Sequence, residues 1–141
     1  SLDMYGWKQV TQEMDKMVTA DLKSGAIGNN FVFITHNWFP AGHIEFYLAN
    51  PLKKKLYIWG TEEKSHQYML INERRGMIEQ NSDAYYITTS RYFASPDPNL
   101  LNHYKTFDNR AVIRLHRNNK AAFNVFIYRL KEAKSTFSMN N

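Results

Sequence analysis

Phe31-Val32-Phe33-Ile34-Thr35 is a short unbroken apolar run rich in β-branched and aromatic residues. Such a run suits a strand buried on both faces, as in a parallel sheet flanked by helices. Two runs of the same kind follow: Leu56-Tyr57-Ile58-Trp59, ended by Gly60, and Ala84-Tyr85-Tyr86-Ile87-Thr88-Thr89. Between the first two, Pro40 presets a helical φ, and Ile44, Tyr47 and Leu48 share one helix face up to Pro51. Between the second and third, a weaker helical pattern covers 66–78. Strand–helix–strand–helix–strand at this spacing predicts βαβ units on a parallel sheet.

Upstream, Trp7, Val10, Met14, Met17, Val18 and Leu22 recur at the spacing of one helix face, and Ser24-Gly25 ends the pattern. Trp7 opens this apolar face, so it is expected to be a core anchor. Downstream the rhythm changes. Pro96-Asp97-Pro98 reads as a loop and Asn99–Tyr104 as a short helix at most. Arg110–Arg117 and Ala121–Leu130 are β-rich runs around Asn118-Asn119, a tight-turn pair tolerant of positive φ. The expected fold is α/β: three-layer α/β/α-like, a short parallel sheet, and a C-terminal antiparallel hairpin added at one edge. One domain is expected over 1–133, with 134–141 a polar, frayed tail.

The 141 residues suffice for one domain with a proper core, and 15% aromatic content argues against a disordered chain. The absence of cysteine removes disulfides, Cys-ligated zinc, iron–sulfur clusters and thiol catalysis. No run is apolar and long enough to span a bilayer. The chain begins Ser-Leu-Asp, without an initiator Met, and is read as a piece of something longer, with Ser1-Leu2 a cloning remnant. The net charge is +5, unevenly spread: residues 101–141 carry eight Lys/Arg against Asp108 and Glu132 alone, six charges to the positive, and residues 1–100 are nearly neutral. A basic segment can meet nucleic acid, anionic headgroups or phosphorylated ligands, or simply keep a strand pair solvated.

No nucleotide-binding glycine loop, nucleophile elbow or zinc-protease motif is present. Gly25-Ala26-Ile27-Gly28 has the GxxG spacing of an RNA-gripping loop but reads better as a helix end followed by a loop. His36, His43 and Glu45 come nearest to a metal cluster, but His43 and Glu45, two apart on a helix, point about 200° apart. No metal and no cofactor is expected in this chain. In an open α/β sheet, ligands collect at the carboxyl ends of the parallel strands. Those ends bring His36, Trp38, Gln67, Tyr68, Arg91 and Tyr92 forward as ligand-binding candidates, with Arg91 able to grip a phosphate or carboxylate and Trp38 or Tyr92 to stack on a sugar ring. The alternative is that Arg91 pairs with Glu62 and Trp38 merely anchors a loop. Alternation along the hairpin groups Arg110, Arg114 and His116 on one face, with Lys120 at or near the turn. Arg110, Arg114, Arg117 and Lys120 are the candidates for membrane or phosphate contact.

Asp3-Met4-Tyr5-Gly6-Trp7, then Val32-Phe33-Ile34-Thr35 leading into Ile44-Glu45-Phe46-Tyr47-Leu48, then Ser65-His66-Gln67-Tyr68, then Asp83-Ala84-Tyr85-Tyr86-Ile87-Thr88 with Arg91 follow one another in this order. The order resembles the C-terminal extracytoplasmic domain of bacterial polyprenyl-phosphate-sugar-dependent membrane glycosyltransferases, the family related to dolichyl-phosphate-mannose–protein mannosyltransferases and aminoarabinose transferases. His66 stands where that family more usually has Asn, and His36-Asn37-Trp38 stands where its members often have a charged residue. The resemblance implies an accessory domain on the periplasmic side of the cell membrane, whose partners are the transmembrane half of the same polypeptide and anionic lipid or lipid-linked sugar. It places the catalytic carboxylates in the membrane half, so no catalytic residue carries over to this chain. A stand-alone phosphate-ligand or nucleic-acid-binding module is the alternative. Against nucleic acid, no aromatic stacking stripe is evident beside the hairpin arginines. A free-standing enzyme is weaker still, because no nucleophile–base pair is visible.

Overall fold

A computed structural model of the protein describes residues 4–60, 76–91, 93–117 and 120–139. The elements are α1 (Met4–Ser24), β1 (Val32–Thr35), α2 (Trp38–Ile44) continued by a π-helical turn (Glu45–Ala49), β2 (Leu56–Ile58), β3 (Ala84–Thr89), α3 (Pro98–Leu101), β4 (Tyr104–Arg117) and β5 (Lys120–Ala133). The strands form one sheet in the order β2-β1-β3-β5-β4. β1 pairs in parallel with β2 and β3, and β5 joins β3 antiparallel, carrying β4 at the edge. The α/β class, the three parallel strands and the added hairpin agree with the sequence reading. The helical pattern over 66–78 lies outside the described residues except for its end, where Ile78 bridges Phe137.

The unbroken apolar runs follow from burial on both faces. Phe33, Tyr85 and Ile87 point to one face, where they pack with Trp7, Val10, Met14, Ile44 and Leu48 of the helices. Their neighbours Ile34 and Tyr86 point to the other, beneath Leu100, Tyr104, Phe137 and Met139. The expected frayed tail is therefore corrected: Phe137 and Met139 are buried, because their two-residue spacing places both on one side of a strand-like segment against the sheet.

A second correction concerns the inner stripe of α1. Leu22 is 37% exposed, whereas Asp21 is 3% exposed. Position 21, not 22, continues Met14, Met17 and Val18 at helical spacing. The buried carboxylate accepts from the Tyr85 hydroxyl at 2.6 Å and from Arg110 Nε at 3.1 Å, and Arg129 Nη1 lies 3.2 Å from it. Arg129 also forks onto Asp108 at 3.2 and 2.9 Å. Asp21 thus ties α1 to β3, β4 and β5. The tie exists because β4 is irregular between Asn109 and Ala111. Arg110 is the extra residue of that bulge, so it leaves the face of Arg114 and turns toward α1. The grouping of Arg110 with Arg114 and His116 is corrected accordingly.

Asp83 is the second buried carboxylate. It accepts from the Gly28 amide (2.6 Å), the Glu132 amide (2.8 Å) and Lys131 Nζ (2.9 Å). It fixes the amino end of β3 against the loop that enters β1. A Cβ on Gly28 would lie 3.0 Å from Asn30 Oδ1 and 3.1 Å from Asp83 Oδ2. Asp83 is held on three sides and cannot give way, so Gly28→Ala is expected to cost about 1–3 kcal/mol, as overpacking does, read as a lower urea midpoint.

The carboxyl end of α1 leads into the amino end of β1, so the helix returns antiparallel to the parallel strands. Its 21 residues span about 30 Å, longer than any of those strands. The amino end of α1 therefore lies toward the carboxyl ends of β1, β2 and β3.

Candidate functional site

The carboxyl ends of the parallel strands are bound to one another before any ligand is considered. Thr35 Oγ1 at the end of β1 donates to the Ile87 carbonyl of β3 at 2.9 Å, and the Trp59 amide after β2 donates to the Thr35 carbonyl at 2.7 Å. Trp59 then reaches across with its indole N–H to Asp97 Oδ2 at 2.9 Å. Asp97 caps α3, accepting from the Asn99 amide at 2.9 Å, with Pro98 in the first turn. The loop after β3 is folded back in the same way: the Ala94 amide donates to Thr88 Oγ1 at 3.1 Å and the Tyr86 hydroxyl to the Ala94 carbonyl at 3.1 Å.

Asp97 is the carboxylate of this end. The Trp59 indole, then the Asn99 amide, hold its carboxyl below the usual carboxylate range; burial opposes them, and the charge of His36 adds to them. A fixed, ionised carboxylate beside an imidazole and an indole can orient a hydroxylated or cationic group. The sequence reading passed over Asp97, although an Asp directly before a Pro at a helix start is a capping signature.

The sequence-predicted ligand residues separate as follows. His36 is half-buried at the end of β1, and Arg91 is exposed just beyond β3. The backbone of Trp38 begins α2, but its side chain lies outside the described residues, as do Gln67, Tyr68, Tyr92 and Glu62. Of the hairpin candidates, Arg110 is committed to Asp21. Arg114 is exposed, and the backbones of Arg117 and Lys120 pair at the hairpin tip, their side chains outside the described residues. His43 stacks on Trp7 at 5.3 Å. Among the described residues no three His, Asp or Glu converge to hold a metal ion.

The hairpin belongs to this same end. Ser90, one residue past β3, donates its amide to the Asn124 carbonyl at 2.9 Å and accepts from the Asn124 amide on its Oγ at 3.0 Å, and Asn124 lies opposite Arg114. The pairs Leu115–Phe123, His116–Ala121 and Arg117–Lys120 continue beyond the sheet, an overhang of roughly 10 Å at strand rise. The ends of β1–β3, the amino end of α1 and the basic hairpin tip thus share one end of the molecule.

No family model matches this chain, and no curated protein and no solved structure matches it.

Proposed function

We propose that the chain is the extracytoplasmic C-terminal domain of a membrane glycosyltransferase that takes its sugar from a polyprenyl-phosphate donor, and that it positions acceptor or carrier and does not perform the transfer. The observation that carries this reading is that segments of the resemblance forty residues apart meet in space. Trp7 of the Gly6-Trp7 pair stacks on Tyr47 of Glu45-Phe46-Tyr47-Leu48 at 5.9 Å and 13°, and Thr11 Oγ1 donates to the Tyr47 carbonyl at 3.1 Å. The π-helical turn, closed by the Asn50 amide on the Glu45 carbonyl, is the segment that presents Tyr47 there. Asp83 and Tyr85, from the last segment, are the residues that hold Gly28 and Asp21. Motif residues spent on packing fit a scaffold whose chemistry lies elsewhere.

The reading frame upstream of Asp3 tests this. Hydrophobic spans ending shortly before Asp3 support it; a start codon at that point contradicts it. The 141-residue chain incubated with a polyprenyl-linked sugar and an acceptor is expected to give no turnover above a heat-killed control.

A further inference from the structure

The outer face of the hairpin carries side chains that the proposed function has not used. Opposed residues on β4 and β5 share a face, so Phe107, Val112 and Arg114 lie with Leu130, Phe126 and Asn124. The bulge at Arg110 keeps Phe107 and Val112 on one side despite their odd spacing. Toward β2 this face is covered by Leu100, Phe137 and Met139. Toward the hairpin tip no described element covers it. There Phe93 is 49% and Val112 43% exposed, whereas Phe107, 55% exposed, stands at the other end of the face, opposite Leu130 and level with Ala84 at the amino end of β3. Phe93 leans edge-on against Phe126 at 5.1 Å, and a concavity of about 390 Å³ opens between Ser90, Phe93, Asn109, Val112, Phe126 and Tyr128. Arg114 and His116 stand exposed at its outer side. Arg110, Arg129, Lys131 and Lys105 face acids, whereas Arg114 has no acidic partner among the described residues.

We infer that the tip-side part of this face is a membrane-docking surface for anionic phospholipid, with Phe93 and Val112 entering the interfacial layer and Arg114 lying among the headgroups. Contiguous exposed apolar side chains mark binding faces, and aromatic rings favour the boundary between water and hydrocarbon. Charge selects the occupant: hairpin residues 104–133 are five charges positive, and the tip, 114–120, carries Arg114, Arg117 and Lys120 with no acid in that stretch, the complement of an anionic leaflet. Position agrees, because the face borders the end toward which α1 begins. That last point rests on the proposed function; the charge and the exposed apolar side chains do not.

The test is co-sedimentation of the 141-residue chain with phosphatidylcholine vesicles, with and without phosphatidylglycerol, at low and high salt. Binding is expected only with phosphatidylglycerol, weakened by salt, and reduced about five- to tenfold by Arg114→Glu. Phe93→Ser with Val112→Thr is expected to reduce it at least as much, whereas Lys23→Glu, exposed at the far, carboxyl end of α1, leaves it unchanged. A Val112→Trp chain, which keeps the apolar face, is expected to show added quenching by brominated lipid, so the outcome does not hang on a variant that folds poorly. Absence of binding to phosphatidylglycerol at low salt, an equal loss with Lys23→Glu, no added quenching, or tighter binding to single-stranded DNA than to vesicles overturns the inference. The upstream reading frame is untouched by any of these results, so the two proposals fail separately.

Discussion

Asp21→Ala is expected to destabilise the protein by about 3–5 kcal/mol, because it strips a buried pair of one partner and leaves the other charges in place. Arg110 and Arg129 lose the carboxylate that neutralises them, and the buried Tyr85 hydroxyl loses its acceptor at 2.6 Å. Urea unfolding followed by circular dichroism reads the loss; a change below about 0.5 kcal/mol, the range of ordinary surface substitutions, contradicts the role. The same site sets a pH dependence. Burial pushes the Asp21 carboxyl upward, but the hydrogen bonds of Arg110 and Tyr85 and the charges of both arginines outweigh it, and the group titrates below its ordinary 3.8. A depressed carboxyl contributes stability that is complete above the unfolded value and is lost as pH falls through the folded one. Stability is therefore expected to fall as pH drops below about 4, and more weakly in Asp21→Asn, measured as urea midpoints at successive pH values.

Trp7→Ala is expected to cost a similar amount, about 3–5 kcal/mol, the range for truncating a buried aromatic. Trp7 is 3% exposed, in the core with Val10 and Met14. It is also the inner plate of a stack with His43 and Tyr47 at 5.3 and 5.9 Å. The loss removes both the apolar burial and the ring contacts that clamp α1 to the π-helical turn. Trp7→Phe keeps part of each and is expected to fall between, which separates packing from a general intolerance of change at the helix start.

The sheet was legible because its signal is local. Phe31–Thr35, Leu56–Trp59 and Ala84–Thr89 are apolar at successive positions, and only a strand covered on both faces calls for that pattern. Trp7 was legible for a similar reason, as the first member of a helical stripe. What escaped depends on partners distant in sequence. Asp21 occupies an inner position that periodicity assigns to an apolar residue, and the signals that justify a carboxylate there lie 64, 89 and 108 residues away in Tyr85, Arg110 and Arg129. The bulge at Arg110 has no glycine or proline to mark it, so strict alternation placed that arginine on the wrong face. Phe137 and Met139 looked like part of a polar tail because two apolar residues among polar ones carry little periodic signal. The exposed pair Phe93–Phe126 escaped because its members come from a loop and a strand thirty-three positions apart; the aromatic surface that the sequence did not show beside Arg114 is made by folding.

The most direct measurement for the domain's assignment is transfer of a radiolabelled sugar from a polyprenyl-phosphate donor, using membranes that contain the product of the whole reading frame. Transfer to acceptor is expected from the whole product and from none of the preparations of the 141-residue chain alone. A whole product that transfers nothing from any polyprenyl-phosphate sugar, or an isolated chain that turns the donor over, would contradict the account.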